Sequence, residues 1–186
     1  MNDLLFLLTG GDLRSDGRAN EVADEVLANP NLFPLLFEGL DETDDVVRGR
    51  TSHALEFVSR TRPELLTSHL PQLLDLARKD DVAMVRWHLA MIFANLSIFE
   101  EIIDQTLPVL YDLLDDPAVF VKSWAISSLC IIGKHYPHLR GEIISWIIPL
   151  REDYSIAIRT RVAKALTALE NEEEPIPPGW VKNKLL

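Results

Sequence analysis

Apolar residues recur along this chain at steps of three and four, the spacing that gathers them on one face of a helix. Val85, Leu89, Ile92, Phe93 and Leu96 form one such stripe, Val121, Ala125, Leu129 and Ile132 the next, and Ile158, Val162, Ala165, Leu166 and Leu169 a third. Each stripe predicts an amphipathic second helix, and a first helix is predicted ahead of each second helix, over residues 32–40, 64–77, 100–114 and 139–150. Short acidic turns join the two: Asp41-Glu42-Thr43-Asp44-Asp45, Lys79-Asp80-Asp81, Asp115-Asp116-Pro117 and Glu152-Asp153-Tyr154-Ser155. Turns that brief force the two helices to run antiparallel.

The hairpin is also a repeat. Pro34 with Leu36, Pro71 with Leu73 and Pro108 with Leu110 follow one another at a stride of 37 residues. An apolar-basic pair keeps nearly the same stride: Val47-Arg48, Val85-Arg86, Val121-Lys122 and Ile158-Arg159. Two markers repeating together mean one supersecondary unit stacked several times. Six residues before each basic marker stands an acid, Glu42, Asp80, Asp116 and Asp153, and Asp12 before Arg18 extends this to a degenerate fifth unit. An acid there caps the amides of the second helix and suits its dipole. The basic residue can then reach the acid of its own or the next unit. Such a ladder is expected to order the units more than it stabilises them, since exposed pairs contribute about 0 to 1 kcal/mol.

The acidic turn followed by Val85-Arg86 and then Leu89-Ala90 resembles the HEAT repeat, and the resemblance covers about residues 10–170. It implies an all-α, right-handed α-α superhelix of about four to five helical hairpins, one domain over 1–170 with residues 1–30 as a degenerate cap. The prolines Pro71 and Pro108 resemble those that bend HEAT first helices. Arg86-Trp87-His88-Leu89-Ala90 and the stretch from Gly17-Arg18-Ala19-Asn20 to Pro30-Asn31-Leu32-Phe33 are similar to short, free-standing prokaryotic HEAT proteins. The ends depart from the pattern: Gly17 replaces the apolar marker, and Arg18 to Arg48 is a step of only 30 residues. Residues 171–186 are acidic and proline-rich and predict an extended tail. In one reading it folds back so that Trp180 plugs the end of the stack; in the other it is a free motif for a partner. An exposed tryptophan is costly, which favours the first.

Composition narrows the function. At 186 residues the chain can bury roughly 70% of its unfolded surface without metal or crosslinks. The one cysteine, Cys130, sits in an apolar run and reads as a small buried hydrophobe. No basic secretion signal opens the chain and no apolar run approaches the roughly 20 residues of a membrane span, so a cytoplasmic protein is expected. The net charge of -11 repels nucleic acid and anionic lipid over the surface as a whole.

In HEAT stacks the second helices line the concave side. The third position after the apolar marker there is Arg50, His88, Trp124 and Arg161 in successive units, with His53, Trp87, Met91, Asn95, Ser127 and Lys164 as neighbours. These positions fall outside the apolar stripe and are expected on an exposed face. Cations mixed with aromatic rings suit acidic peptides, phosphate groups or a stacked base. The alternative is structural: Trp87 or Trp124 seals the contact between adjacent second helices, and the marker bases Arg48, Arg86, Lys122 and Arg159 belong to the ladder.

Enzyme chemistry finds little support. The five histidines include no His-Glu pair, so the iron motif of HEAT-type deoxyhypusine hydroxylases is absent. Pro137 disrupts the spacing of His135 and His138, and Gly10-Gly11 lacks the lysine of a phosphate loop. HEAT-like alkylpurine DNA glycosylases place tryptophans and an aspartate in a concave cleft. Here the residues four positions after the tryptophans are Met91, Ser128, Leu150 and Lys184, so that spacing is missing. HEAT-containing bilin lyases share only the fold. The expected role is a noncatalytic adaptor without cofactor or metal, binding a protein or peptide on its concave face; a groove-binding DNA enzyme is the alternative.

Overall fold

The computed structural model describes residues 1–186 and contains helices and no strands. In chain order the helices are α1 (Asp3–Phe6), α2 (Ala19–Ala28), α3 (Phe33–Phe37), α4 (Asp45–Ser59), α5 (Glu64–Thr67), α6 (Leu70–Lys79), α7 (Ala83–Asn95), α8 (Ile103–Asp112), α9 (Val119–His135), α10 (Arg140–Ile147) and α11 (Ile156–Glu170). The protein is a right-handed α-α superhelix of stacked hairpins. The long second helices α4, α7, α9 and α11 pack one on the next, with α2 against α4 at the start. The shorter first helices form the other layer, α6 and α8 on α7 and α9, and α10 on α9 and α11.

All four apolar markers, Val47, Val85, Val121 and Ile158, are fully buried, and one apolar cluster runs from Leu4 to Trp180. Successive units therefore share a single interior, as stacked hairpins must when none can cover its own apolar face. No helix is long and apolar enough to cross a membrane.

The first helices are more broken than periodicity suggests. The stretch 64–77 splits into α5 and α6, because Pro71 cannot continue a helix past the carbonyl of Thr67 without a clash. Pro34 and Pro71 instead open helices, where a missing amide costs nothing. Only Pro108 of the three stands inside one.

The ladder runs from each unit to the next. Arg48 bonds Asp80 at 3.1 Å, Arg86 bonds Asp116 at 2.6 Å and Lys122 bonds Asp153 at 2.9 Å. The same acids brace the turn into the next helix: Asp80 accepts from the Val82 amide at 2.8 Å, Asp116 from Ala118 and Asp153 from Ser155, both at 2.7 Å. Val82, Ala118 and Ser155 occupy the N-cap positions, so the acids stand two residues too early to be the helix caps that the spacing predicts. Arg86 and Arg159 also donate to the carbonyls of Asp80 and Asp153 in their own units. The rungs are largely buried, with side-chain exposures of 12% for Arg86 and 7% for Asp116, so removing either partner would leave the other's charge buried and unpaired. The proposed fifth rung does not form. Asp12 pairs with Arg14 and Arg18 with Glu21, because the short first unit leaves no turn acid facing Arg18.

Candidate functional site

The second-helix face divides into a closed half and an open half. In the first, Arg50 is only 4% exposed and is not a groove residue. Its guanidinium donates to the carbonyls of Leu8, Thr9, Gly10, Asp12 and Ser15 at 2.7 to 3.2 Å. The loop before α2 folds over α4 and closes on this side chain, aided by left-handed Gly10, Gly11 and Gly17.

His88 on α7 is also buried. Its Nδ1 lies 3.1 Å from Ser52 Oγ and its Nε2 lies 3.2 Å from His53 Nδ1, while His53 Nε2 lies 2.9 Å from Asn20 Oδ1. Asp16 stands 3.6 Å from His53. Burial holds both imidazoles below their ordinary value, and His88, facing His53, is held well below it. The pair is a neutral bridge joining α4, α7 and α2. Met91, Asn95 and Ser127 are buried as well, so the expected exposed face is here an interface between helices. Asn95 donates to Ser59 Oγ at 2.7 Å and to Glu56 at 3.2 Å; Glu56 is fully buried and accepts from Arg60.

The open half lies between the first halves of α9 and α11. A cleft of about 530 Å³ is walled by Phe120, Trp124, Thr160, Arg161, Lys164 and Trp180. Phe120 is two-thirds exposed and its ring centroid is 5.4 Å from that of half-buried Trp87, so the aromatic surface continues onto α7. Arg161 crosses the floor: its guanidinium lies 5.3 Å from the Trp124 ring and 4.9 Å from the Trp180 ring, and it donates to the Ser123 carbonyl and Ser127 Oγ. Lys182 approaches Trp124 at 5.8 Å and Lys164 is exposed at the rim. Unlike Arg48, Arg86 and Lys122, none of Arg161, Lys164 and Lys182 pairs with a carboxylate. Burial lowers the Arg161 pKa, which marks the floor as a place where its charge is poorly solvated.

Trp180 does fold back, yet it does not plug the end of the stack. It docks on the second-helix face, 7% exposed, where Arg161 and Trp124 offer it an aromatic and cationic seat. The tail follows the C-terminal ends of the second helices. Lys134 Nζ donates to the carbonyls of Asn171, Glu172 and Glu174 at 2.8 to 3.3 Å. Asn183 donates to the Asn95 carbonyl at 2.6 Å, and the Lys184 amide donates to the Arg60 carbonyl at 3.1 Å.

Of the predicted stripe, Trp87, Trp124, Arg161 and Lys164 meet at or beside the cleft, and His53 is half-buried at a distance from it. Sequence reasoning missed Phe120, Lys182 and Asn183. Phe120 precedes the marker Val121 and has a readable signal, a large apolar residue off the buried stripe. The two tail residues have none, since only the folded path brings them to the face.

No protein-family model matches the sequence, nor does any curated protein. Among solved structures the chain is similar to an engineered protein from a structural genomics consortium, with 20% identity, TM-score 0.64, and coverage of 91% of this chain and 80% of that one. It is also similar to a designed armadillo repeat protein in complex with the peptide (KR)4, at 19% identity and TM-score 0.65, covering 89% of this chain and 80% of that one. A second designed armadillo repeat protein gives 18% identity and TM-score 0.62 over 89% and 80% of the two chains. At these identities the likeness speaks to the solenoid fold.

Proposed function

We propose that this protein is a noncatalytic scaffold of HEAT type that binds an extended acidic or phosphorylated segment of a partner protein in the cleft between α9 and α11. One observation carries the reading: in a chain of net charge -11, three cations without carboxylate partners converge on one aromatic-lined cleft. An anionic group entering there meets charge not already neutralised, on a floor poorly screened by water. Arg161 and Lys164 supply the charge, Trp87, Trp124 and Phe120 the flat apolar contact, and Arg50, His53, His88 and Met91 keep the neighbouring helices in register. The armadillo-type relative holds a basic peptide; here the open charge is positive, and the preferred ligand is of opposite sign.

The test is fluorescence anisotropy with three labelled peptides of equal length, one glutamate-rich, one carrying phosphoserine and one lysine-rich. The first two should bind and weaken as salt rises, and the third should not. Lys164→Glu, a charge reversal at an exposed rim position, should weaken binding and flatten its dependence on salt. Equal binding of the lysine-rich peptide, or an unaffected K164E variant, would remove this reading.

A further inference from the structure

Residues 171–186 contain no helix or strand and lie along the ends of α9, α7 and α4. The ends of α7 and α4 present the last carbonyls of a helix, which lack intrahelical donors. The tail supplies them: the Asn183 side chain for Asn95, and the Lys184 amide for Arg60. Beyond Asn171, that amide makes the only backbone hydrogen bond between the tail and the helices. Trp180 is the one large side chain buried between the exposed stretch 171–175 and the exposed end 184–186. Ile176 and Val181 pack partly buried on the core, and Lys134 holds the carbonyls of Asn171, Glu172 and Glu174. A segment without regular structure, held by side-chain anchors centred on Trp180 and Asn183 and by one backbone bond, is bound as a peptide is bound.

We infer that this track is a second binding site, for an extended partner segment that carries an aromatic residue and, three positions later, an amide side chain, and that the tail is its resident, displaceable occupant. The requirement is read from the site itself. The Arg161 and Trp124 seat needs a flat ring, and the Asn95 and Arg60 carbonyls need donors at a fixed distance from that ring. The tail's attachment gives it a high effective concentration, so a free segment competes poorly until the anchors are weakened or the partner adds contacts of its own. The track shares its ring seat, Arg161, Trp124 and Trp180, with the cleft, while its amide anchors at Asn95 and Arg60 lie at the C-terminal ends of α7 and α4. The two readings fail separately, because binding of the tail peptide does not depend on whether a glutamate-rich or phosphorylated peptide binds.

The full-length chain and its Trp180→Ala/Asn183→Ala double variant should be titrated into a labelled synthetic peptide of residues 174–186. The variant should bind at least ~10-fold more tightly than wild type, because the tethered competitor has been weakened. A peptide with alanine in place of its tryptophan should not bind. Equal binding by both proteins, or no binding by a variant that keeps the wild-type circular dichroism, would overturn the inference. So would a wild-type dimer that dissociates in the double variant, since the tail would then belong to a second copy. Hydrogen exchange on the wild type is a check independent of the variant: the Lys184 amide should exchange about 100-fold or more faster than amides within α7, as locally opening segments do. Equal protection would mean that the tail is an inseparable part of the core.

Discussion

Gly17 faces the guanidinium of Arg50 so closely that a Cβ on it would stand 2.7 Å from Arg50 Cζ. Gly17 is also left-handed, at φ +54°. The loop before α2 is thus shaped around one buried cation that holds five carbonyls. Arg50→Ala leaves those acceptors buried without a donor and should cost about 3–5 kcal/mol, read as a lower urea midpoint. Gly17→Ala should cost about 1–3 kcal/mol, because strain and crowding act together.

The two histidines make stability depend on pH. Their pKa values are depressed in the folded state, from an ordinary value of 6.5, so the unfolded chain takes up protons first as pH falls. Stability is at its plateau above pH 6.5 and declines below it, by up to about 1.4 kcal/mol per pH unit for each histidine, until the folded values are reached. In chemical denaturation at a series of pH values, His88→Gln should flatten this decline.

A second acid window lies lower. Burial alone would raise the Asp153 pKa; the bonds from Lys122 and the Ser155 amide outweigh it, and its carboxyl titrates below its ordinary 3.8. The rung's contribution is fully present above pH 3.8 and is lost as pH falls through the lower folded value. Lys122→Met should narrow that window in the same titration.

Ladder rungs and surface pairs should separate clearly. Asp116→Ala strands Arg86 and removes the acceptor of the Ala118 amide in the turn before α9, so it should cost about 3–5 kcal/mol. Arg78 bonds Asp112 at 2.7 Å with exposures of 42% and 58%, and Arg78→Ala should cost less than about 1 kcal/mol. Thermal melts in low and high salt would show the second effect fading with screening and the first persisting.

Gly39 marks a close approach between its 3-10 turn and α4. A Cβ there would stand 2.7 Å from Leu5 Cδ2 and overlap the Thr51 side chain, whose buried hydroxyl has no hydrogen-bond partner. Gly39→Ala should destabilise by about 1–3 kcal/mol through overpacking. Adding Thr51→Ala should return part of that loss, a non-additivity that a double-mutant cycle measures.

Local periodicity determined the stack. Val47, Val85, Val121 and Ile158 could be assigned to the interior because helical spacing is a short-range property, readable without knowing what lies opposite. The acids of the ladder were legible for the same reason, since each bonds an amide only two residues on, in the turn before the helix. Their burial was not, because it depends on the neighbouring unit closing over them. The same limit governs the third-position residues. Arg50, His88, Trp124 and Arg161 occupy equivalent places in successive helices, yet the loop before α2 buries the first, His53 and Ser52 enclose the second, and only the last two face a cleft. The seat of Trp180 and the bond from Asn183 to Asn95 join residues far apart in the chain. Such contacts form because packing leaves a helix end without donors and a ring without cover, and that vacancy exists only once the helices have stacked.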